Sequence, residues 1–165
     1  MSNPVVYLTR KATFSAAHRL HSKHLSEEEN REVFDKCNWD NGHGHNYVVR
    51  VTVRGPVCPK TGMVMNITEL KNHMDEVILK NLDHKNLDKD VNYFSDKPST
   101  TENLSIYIWD HVRALMKKPE LLYEVKIDET DKNSVTYRGP YPSQTKYTNK
   151  RCQGGSCNNI SSDSD

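Results

Sequence analysis

Nowhere does the chain approach the roughly 18 consecutive apolar residues that a membrane-spanning helix requires. Its start, Met1-Ser2-Asn3-Pro4-Val5-Val6, lacks the apolar region of a secretory signal. Charge of one sign is missing as well: 23 basic residues against 22 acidic ones leave a net charge of +1, so there is no overall field to draw the protein to nucleic acid or to a lipid surface. Cysteine is sparse. Four cysteines at irregular spacing in 165 residues do not read as a disulfide framework, and a reduced, cytoplasmic protein is expected. Apolar residues make up only 35% of the chain, which suits one domain whose core is completed at a subunit interface or whose sequence includes an unstructured part. No internal repeat recurs at a fixed period.

What is present divides into two regions. Residues 1–140 carry strong periodic signals and are expected to form one domain. Residues 141–165 are rich in Ser, Thr, Asn, Gln, Gly and Lys and end in Ser161-Ser162-Asp163-Ser164-Asp165. So little of that segment is apolar that a disordered tail is expected. Within the first region Val5 to Phe14 reads as a strand. His45 to Arg54 reads as a second, with Tyr47, Val49, Val51 and Val53 on one face. Asn66-Ile67-Thr68-Glu69 has the form of a capping box. It opens a helix with Ile67, Leu70, Met74, Val77, Ile78 and Leu82 on one stripe. Ser99-Thr100-Thr101-Glu102 reads as a second capping box, before a helix carrying Leu104, Ile108, Val112 and Leu115 that stops at Lys117-Lys118-Pro119. Leu121, Tyr123, Val125 and Ile127 alternate as a third strand, and Asp131-Lys132-Asn133 turns into a fourth at Ser134 to Arg138. The expected fold is α+β: a four-stranded antiparallel sheet with two helices on one face. So small an open sheet has free edges, and subunits are expected to join their sheets.

The chemistry concentrates in Cys37-Asn38-Trp39-Asp40-Asn41-Gly42-His43-Gly44-His45, with His18 upstream. His43 and His45 sit at i and i+2, which on an extended backbone point to one face. They continue the parity of Tyr47 to Val53. Two imidazoles on one face plus a third from a neighbouring strand satisfy a three-histidine zinc site, whose fourth position stays open for water or substrate. Cys37 outside that set would be a thiol held close to a Lewis acid. Glu129 shares parity with Tyr123, Val125 and Ile127, and a carboxylate at an inward position calls for a ligand or a solvated strand end.

His18, Cys37, Gly42-His43-Gly44-His45, Thr61-Gly62-Met63-Val64-Met65-Asn66, Leu82-Asp83-His84-Lys85-Asn86-Leu87-Asp88, Ser99-Thr100-Thr101-Glu102-Asn103 and Glu129-Thr130 occur in this order. Together, over roughly residues 8–139, they resemble the 6-pyruvoyl-tetrahydropterin synthase family; the tail has no counterpart in the family core. The resemblance implies the tunnelling fold, in which subunit sheets join into a barrel of trimers stacked as a homohexamer. It implies conversion of 7,8-dihydroneopterin triphosphate to 6-pyruvoyl-tetrahydropterin, a phosphate-eliminating lyase reaction of tetrahydrobiopterin biosynthesis. It assigns one Zn2+ per chain to His18, His43 and His45, with Mg2+ a second candidate cation accompanying the triphosphate. By the same resemblance Cys37 is the proton-abstracting base, and Asp83 and His84 are an acid/base pair reaching the site from a neighbouring subunit. Glu129 anchors the pterin, assisted by Thr100 and Thr101.

Two other readings stand beside this one. A 6-carboxy-tetrahydropterin synthase would share the fold, but in those relatives three residues separate the cysteine from the His-Gly-His run, whereas five separate Cys37 from His43. A non-catalytic zinc module would need a closed site, with Cys37 as its fourth ligand. The Cys152-Gln153-Gly154-Gly155-Ser156-Cys157 segment has the wrong spacing for a zinc knuckle.

Overall fold

Tyr47, Val49, Val51 and Val53 alternate with Val48, Arg50, Thr52 and Arg54, and only a strand can bury the first set together. In a computed structural model that describes residues 4–140, that strand is β2 (His43–Pro56), the spine of the sheet. All four of those apolar residues are fully buried. β1 (Val5–His18) pairs antiparallel with β2 along its whole length, from Val5 opposite Pro56 to His18 opposite His43. Both strands therefore extend further than the alternation alone marks, and they end together at the histidines. On the other side of β2 lies β4 (Leu122–Asp128), followed by β5 (Ser134–Tyr137), both antiparallel.

Among the described residues the expected count of four strands is corrected to five. A two-residue strand, β3 (Lys85–Asn86), lies parallel to β1 beside Ala16 and Ala17, giving the order β3-β1-β2-β4-β5 and a mixed sheet. Two residues carry no periodicity, so nothing in the sequence marks them as a strand. The alternation assigned to Leu121, Tyr123, Val125 and Ile127 also shifts. A register break opposite Thr52 and Val53 turns Leu122 inward in place of Tyr123, while Val125 and Ile127 remain buried.

Among the described residues four α-helices accompany the sheet: α1 (Glu27–Phe34), α2 (Ile67–Met74), α3 (Leu87–Asp90) and α4 (Thr101–Leu115). The two expected helices are α2 and α4, and their apolar stripes form one core with β1, β2 and β4, except that Ile67 at the start of α2 is exposed. Asn66 caps α2 by accepting the Thr68 N–H at 2.9 Å. After Met74 the helix widens into a π-helical turn, Asp75–Leu79, closed by Lys80 N–H to the Asp75 carbonyl. That turn buries Val77 and Ile78, delivers Leu82 to the core and leaves Asp83-His84 against the edge of β1. In α4, Leu104, Ile108 and Val112 are buried, whereas Leu115 at the final turn is exposed. The tail 141–165, with Cys152 and Cys157, lies outside the described residues.

Candidate active site

Antiparallel pairing of β1 with β2 sets His18 opposite His43, and the two-residue period brings His45 to the same face. Ligand nitrogens of His18, His43 and His45 all lie within 4.8 Å of one another. Gly42 makes this approach possible. Its φ is +67°, and a Cβ there would stand 2.7 Å from the His18 carbonyl oxygen, closer than any side chain can pass.

The tautomer of His18 follows from its partner. Its ring is fully buried, and Nδ1 lies 2.7 Å from the Ser99 carbonyl oxygen, which only accepts. Nδ1 therefore carries the proton, and the Nε2 lone pair faces the other histidines. The Nε2 atoms of His18 and His43 are 3.1 Å apart. Two ligands at about 2.05 Å from a tetrahedral ion are separated by about 3.3 Å, so the spacing fits a shared metal. Burial, with the adjacent imidazoles, lowers the pKa of His43. Burial first and then His18 lower that of His45, although Glu129 opposes the shift. Both effects favour the neutral, metal-binding imidazole. The three histidines can hold a metal ion, and Cys37 is not part of the cluster.

Glu129 stands beside them. Its Oε1 is 3.7 Å from His45 Nε2 and 3.9 Å from His18 Nε2, and it accepts the Thr101 hydroxyl at 2.7 Å. A concavity of about 570 Å³ opens there, lined by Leu20, Thr100, Thr101, Glu129, Lys132 and Asn133 among others. The capping box expected at Ser99 does not form, and the N-cap falls one residue later. Thr100 is the N-cap of α4, its hydroxyl accepting Asn103 N–H at 3.3 Å, and Ser99 supplies the carbonyl that holds His18. Thr101 thus touches Glu129, whereas the hydroxyl of Thr100 is used by its helix.

Cys37 lies in a 3₁₀ turn (Asp35–Asn38), half-buried, and its carbonyl accepts Leu20 N–H at 2.9 Å. That bond ties the Cys37 backbone to the segment just past His18. Asp88, unmarked by the sequence reading beyond its motif, accepts Arg19 N–H at 2.6 Å and fixes the same segment. Its signal would have been an acidic residue in the first turn of α3, directly after the Asn86 cap.

Asp83 and His84 are not among these residues. Asp83 Oδ1 accepts Ser15 N–H at 2.9 Å, and His84 N–H donates to the Ser15 carbonyl at 2.7 Å, so one residue of β1 clasps both. His84 has a left-handed backbone (φ 59°) and a side chain 84% exposed, with Nδ1 2.9 Å from Asp83 Oδ2. The Ser15 N–H, more than the imidazole, lowers the Asp83 pKa.

With this geometry in hand, the comparisons with known proteins are specific. The family described as 6-pyruvoyl tetrahydropterin synthase matches residues 7–140. The chain belongs to that family. It is 65% identical to the 6-pyruvoyl tetrahydrobiopterin synthase of Drosophila melanogaster, over 98% of each chain. It is 56% identical to the Homo sapiens protein of the same name, over 80% of this chain and 90% of the other. The solved Caenorhabditis elegans 6-pyruvoyl tetrahydropterin synthase superposes with a TM-score of 0.83 at 50% identity, covering 85% of this chain and 99% of that one. The family match ends at residue 140, as expected for a tail without a counterpart in the family core, whereas the Drosophila alignment covers 98% of this chain and so extends into residues 141–165. No helix among the described residues is long and apolar enough to cross a membrane.

Proposed function

We propose that this chain is a zinc-dependent 6-pyruvoyl-tetrahydropterin synthase. It converts 7,8-dihydroneopterin triphosphate to 6-pyruvoyl-tetrahydropterin and inorganic triphosphate, in tetrahydrobiopterin biosynthesis. The observation that carries this reading is the convergence of three imidazoles beside a carboxylate at the edge of an open cleft. Three protein ligands leave a position open, as catalytic zinc requires. Zn2+ held by His18, His43 and His45 would supply Lewis acidity to the side-chain oxygens of the substrate. Any Mg2+ would arrive with the triphosphate.

The chain's own groups do the rest. Glu129 matches the paired N–H donors of an aminopyrimidine edge, and the Thr101 hydroxyl fixes one of its oxygens. Cys37 removes a proton from the substrate side chain as its thiolate. Asp83 orients His84, whose exposed ring serves the cleft of a neighbouring subunit in a homohexamer formed by joined sheet edges. Elimination sends the C–O electron pair out with the triphosphate, and tautomerisation moves protons without an external oxidant.

The absence of Cys37 from the histidine cluster favours this reading over a closed structural zinc site. The test is incubation of the metal-loaded protein with dihydroneopterin triphosphate, with triphosphate release and product mass followed together. Triphosphate and the pyruvoyl product are expected. A carboxy product would transfer the chain to the 6-carboxy branch, and no turnover in loaded protein would remove the enzymatic reading.

A further inference from the structure

The start of α4 touches both halves of the proposed site, and it does so through successive residues. The Ser99 carbonyl accepts His18 Nδ1–H at 2.7 Å, and the Thr101 hydroxyl donates to Glu129 Oε1 at 2.7 Å. Residue 99 therefore sets a metal ligand and residue 101 sets the carboxylate that stands 3.7–3.9 Å from two of the histidines. Between them Thr100 begins the helix. Ser99 is fully buried, yet its own hydroxyl has no hydrogen-bond partner. Nothing in its side chain holds its carbonyl in place.

Asn103 does that from one turn further on. Its backbone N–H donates to the Thr100 hydroxyl at 3.3 Å, and its side-chain Nδ2 donates to the Pro98 carbonyl at 2.8 Å. The two bonds grip the chain on either side of Ser99. Pro98 offers no N–H of its own, so the path of residues 98–100 depends on what its carbonyl accepts. A turn of α4 buried through Leu104 and Ser105 provides the fixed base.

We propose that Asn103 is a positioning residue for the metal site, acting through the Pro98–Thr100 segment to aim the Ser99 carbonyl at His18. The ring of His18 has one acceptor to orient it, and a shift of that carbonyl rotates the Nε2 lone pair away from His43 and His45. Thr101 is the separate control on Glu129, because its hydroxyl reaches the carboxylate without Asn103. Metal affinity and pterin affinity are thus set by different residues of one helix terminus. This inference rests on the proposed three-histidine metal site.

Asn103→Asp separates positioning from folding. Aspartate keeps the size of the side chain and favours a helix N-terminus, but it cannot donate to the Pro98 carbonyl when ionised. Its thermal stability is expected to match or exceed that of the parent. Its zinc dissociation constant, measured by chelator competition, should rise about tenfold, at the lower end of what lost outer-shell contacts cost. The visible bands of the cobalt-substituted protein should move with it. Thr101→Val should raise KM and leave zinc affinity within about twofold of the parent, smaller than outer-shell losses. An Asn103→Asp protein with parental zinc affinity and an unchanged cobalt spectrum would overturn the proposal, as would a Thr101→Val protein that loses zinc equally. Failure of the parent itself to bind zinc would instead overturn the metal site on which the proposal rests.

Discussion

His18 and His84 belong to the same sheet edge and live in opposite environments. His18 ends β1, fully buried, with one nitrogen donating to a backbone carbonyl and the other facing two imidazoles. His84 stands beside β3 with its side chain 84% exposed, holding only the adjacent Asp83. The contrast shows how one residue type is assigned two kinds of work. A buried imidazole with an orienting acceptor is a fixed neutral ligand. An exposed imidazole paired with a carboxylate keeps its proton exchangeable, and it can act only on something brought to it. The first half of the proposed site is complete within one chain. The proposal assigns the second half to a neighbouring subunit.

The strongest test of that division is His43→Ala. It should abolish stoichiometric zinc and turnover while the sheet, held by Tyr47 to Val53, stays folded. Retention of one zinc per chain, measured by atomic emission, would dissolve the cluster. Next in size is Cys37→Ala, which should keep zinc and lose turnover by about 10²-fold or more, the scale of a general base. Loss of zinc in that protein would make Cys37 a ligand and close the site.

A mixture sharpens the comparison directly. Cys37→Ala and His84→Ala chains, each inactive alone, should regain activity after subunit exchange, because about a quarter of shared sites then carry both groups. Mixed oligomers without recovery would place both groups in one chain's site. The smallest effect is on acid stability. The Ser15 N–H holds the Asp83 carboxyl below its ordinary 3.8. Its contribution is therefore complete above that value and is lost as pH falls through the lowered one. Asp83→Asn should be less stable than the parent at neutral pH and converge with it at the acid end. Parallel stability curves across that range would show that the clasp contributes nothing.

Much of this arrangement is legible before folding. The alternation Tyr47 to Val53 marks β2 and fixes the shared face of His43 and His45, because strand periodicity carries straight through a His-x-His run. Helix α1 is not legible in the same way. Ser26 and Glu29 form a complete capping box, but the helix they open buries only Asn30, which is polar. A search for apolar periodicity passes over it, since its one inward residue works by hydrogen bonds to Ser22 and Leu25. Ser99 is illegible for another reason. Its contribution to His18 is a backbone carbonyl, which every residue possesses.

The sequence by itself determined the residue set: three histidines at strand parity, a cysteine before them, an acid–histidine pair after α2 and a glutamate at the end of β4. Hydrophobic periodicity and motif spacing are local properties, and local physics suffices to read them. The tertiary structure decided which of these residues meet. The β1–β2 register closed His18 onto His43, the one-residue shift at α4 gave Ser99 to His18 and Thr101 to Glu129, and the π-helical turn with β3 set Asp83 and His84 against Ser15 of β1. Each of those outcomes depends on contacts between residues distant in sequence, set by how the core packs and not by any pattern along the chain.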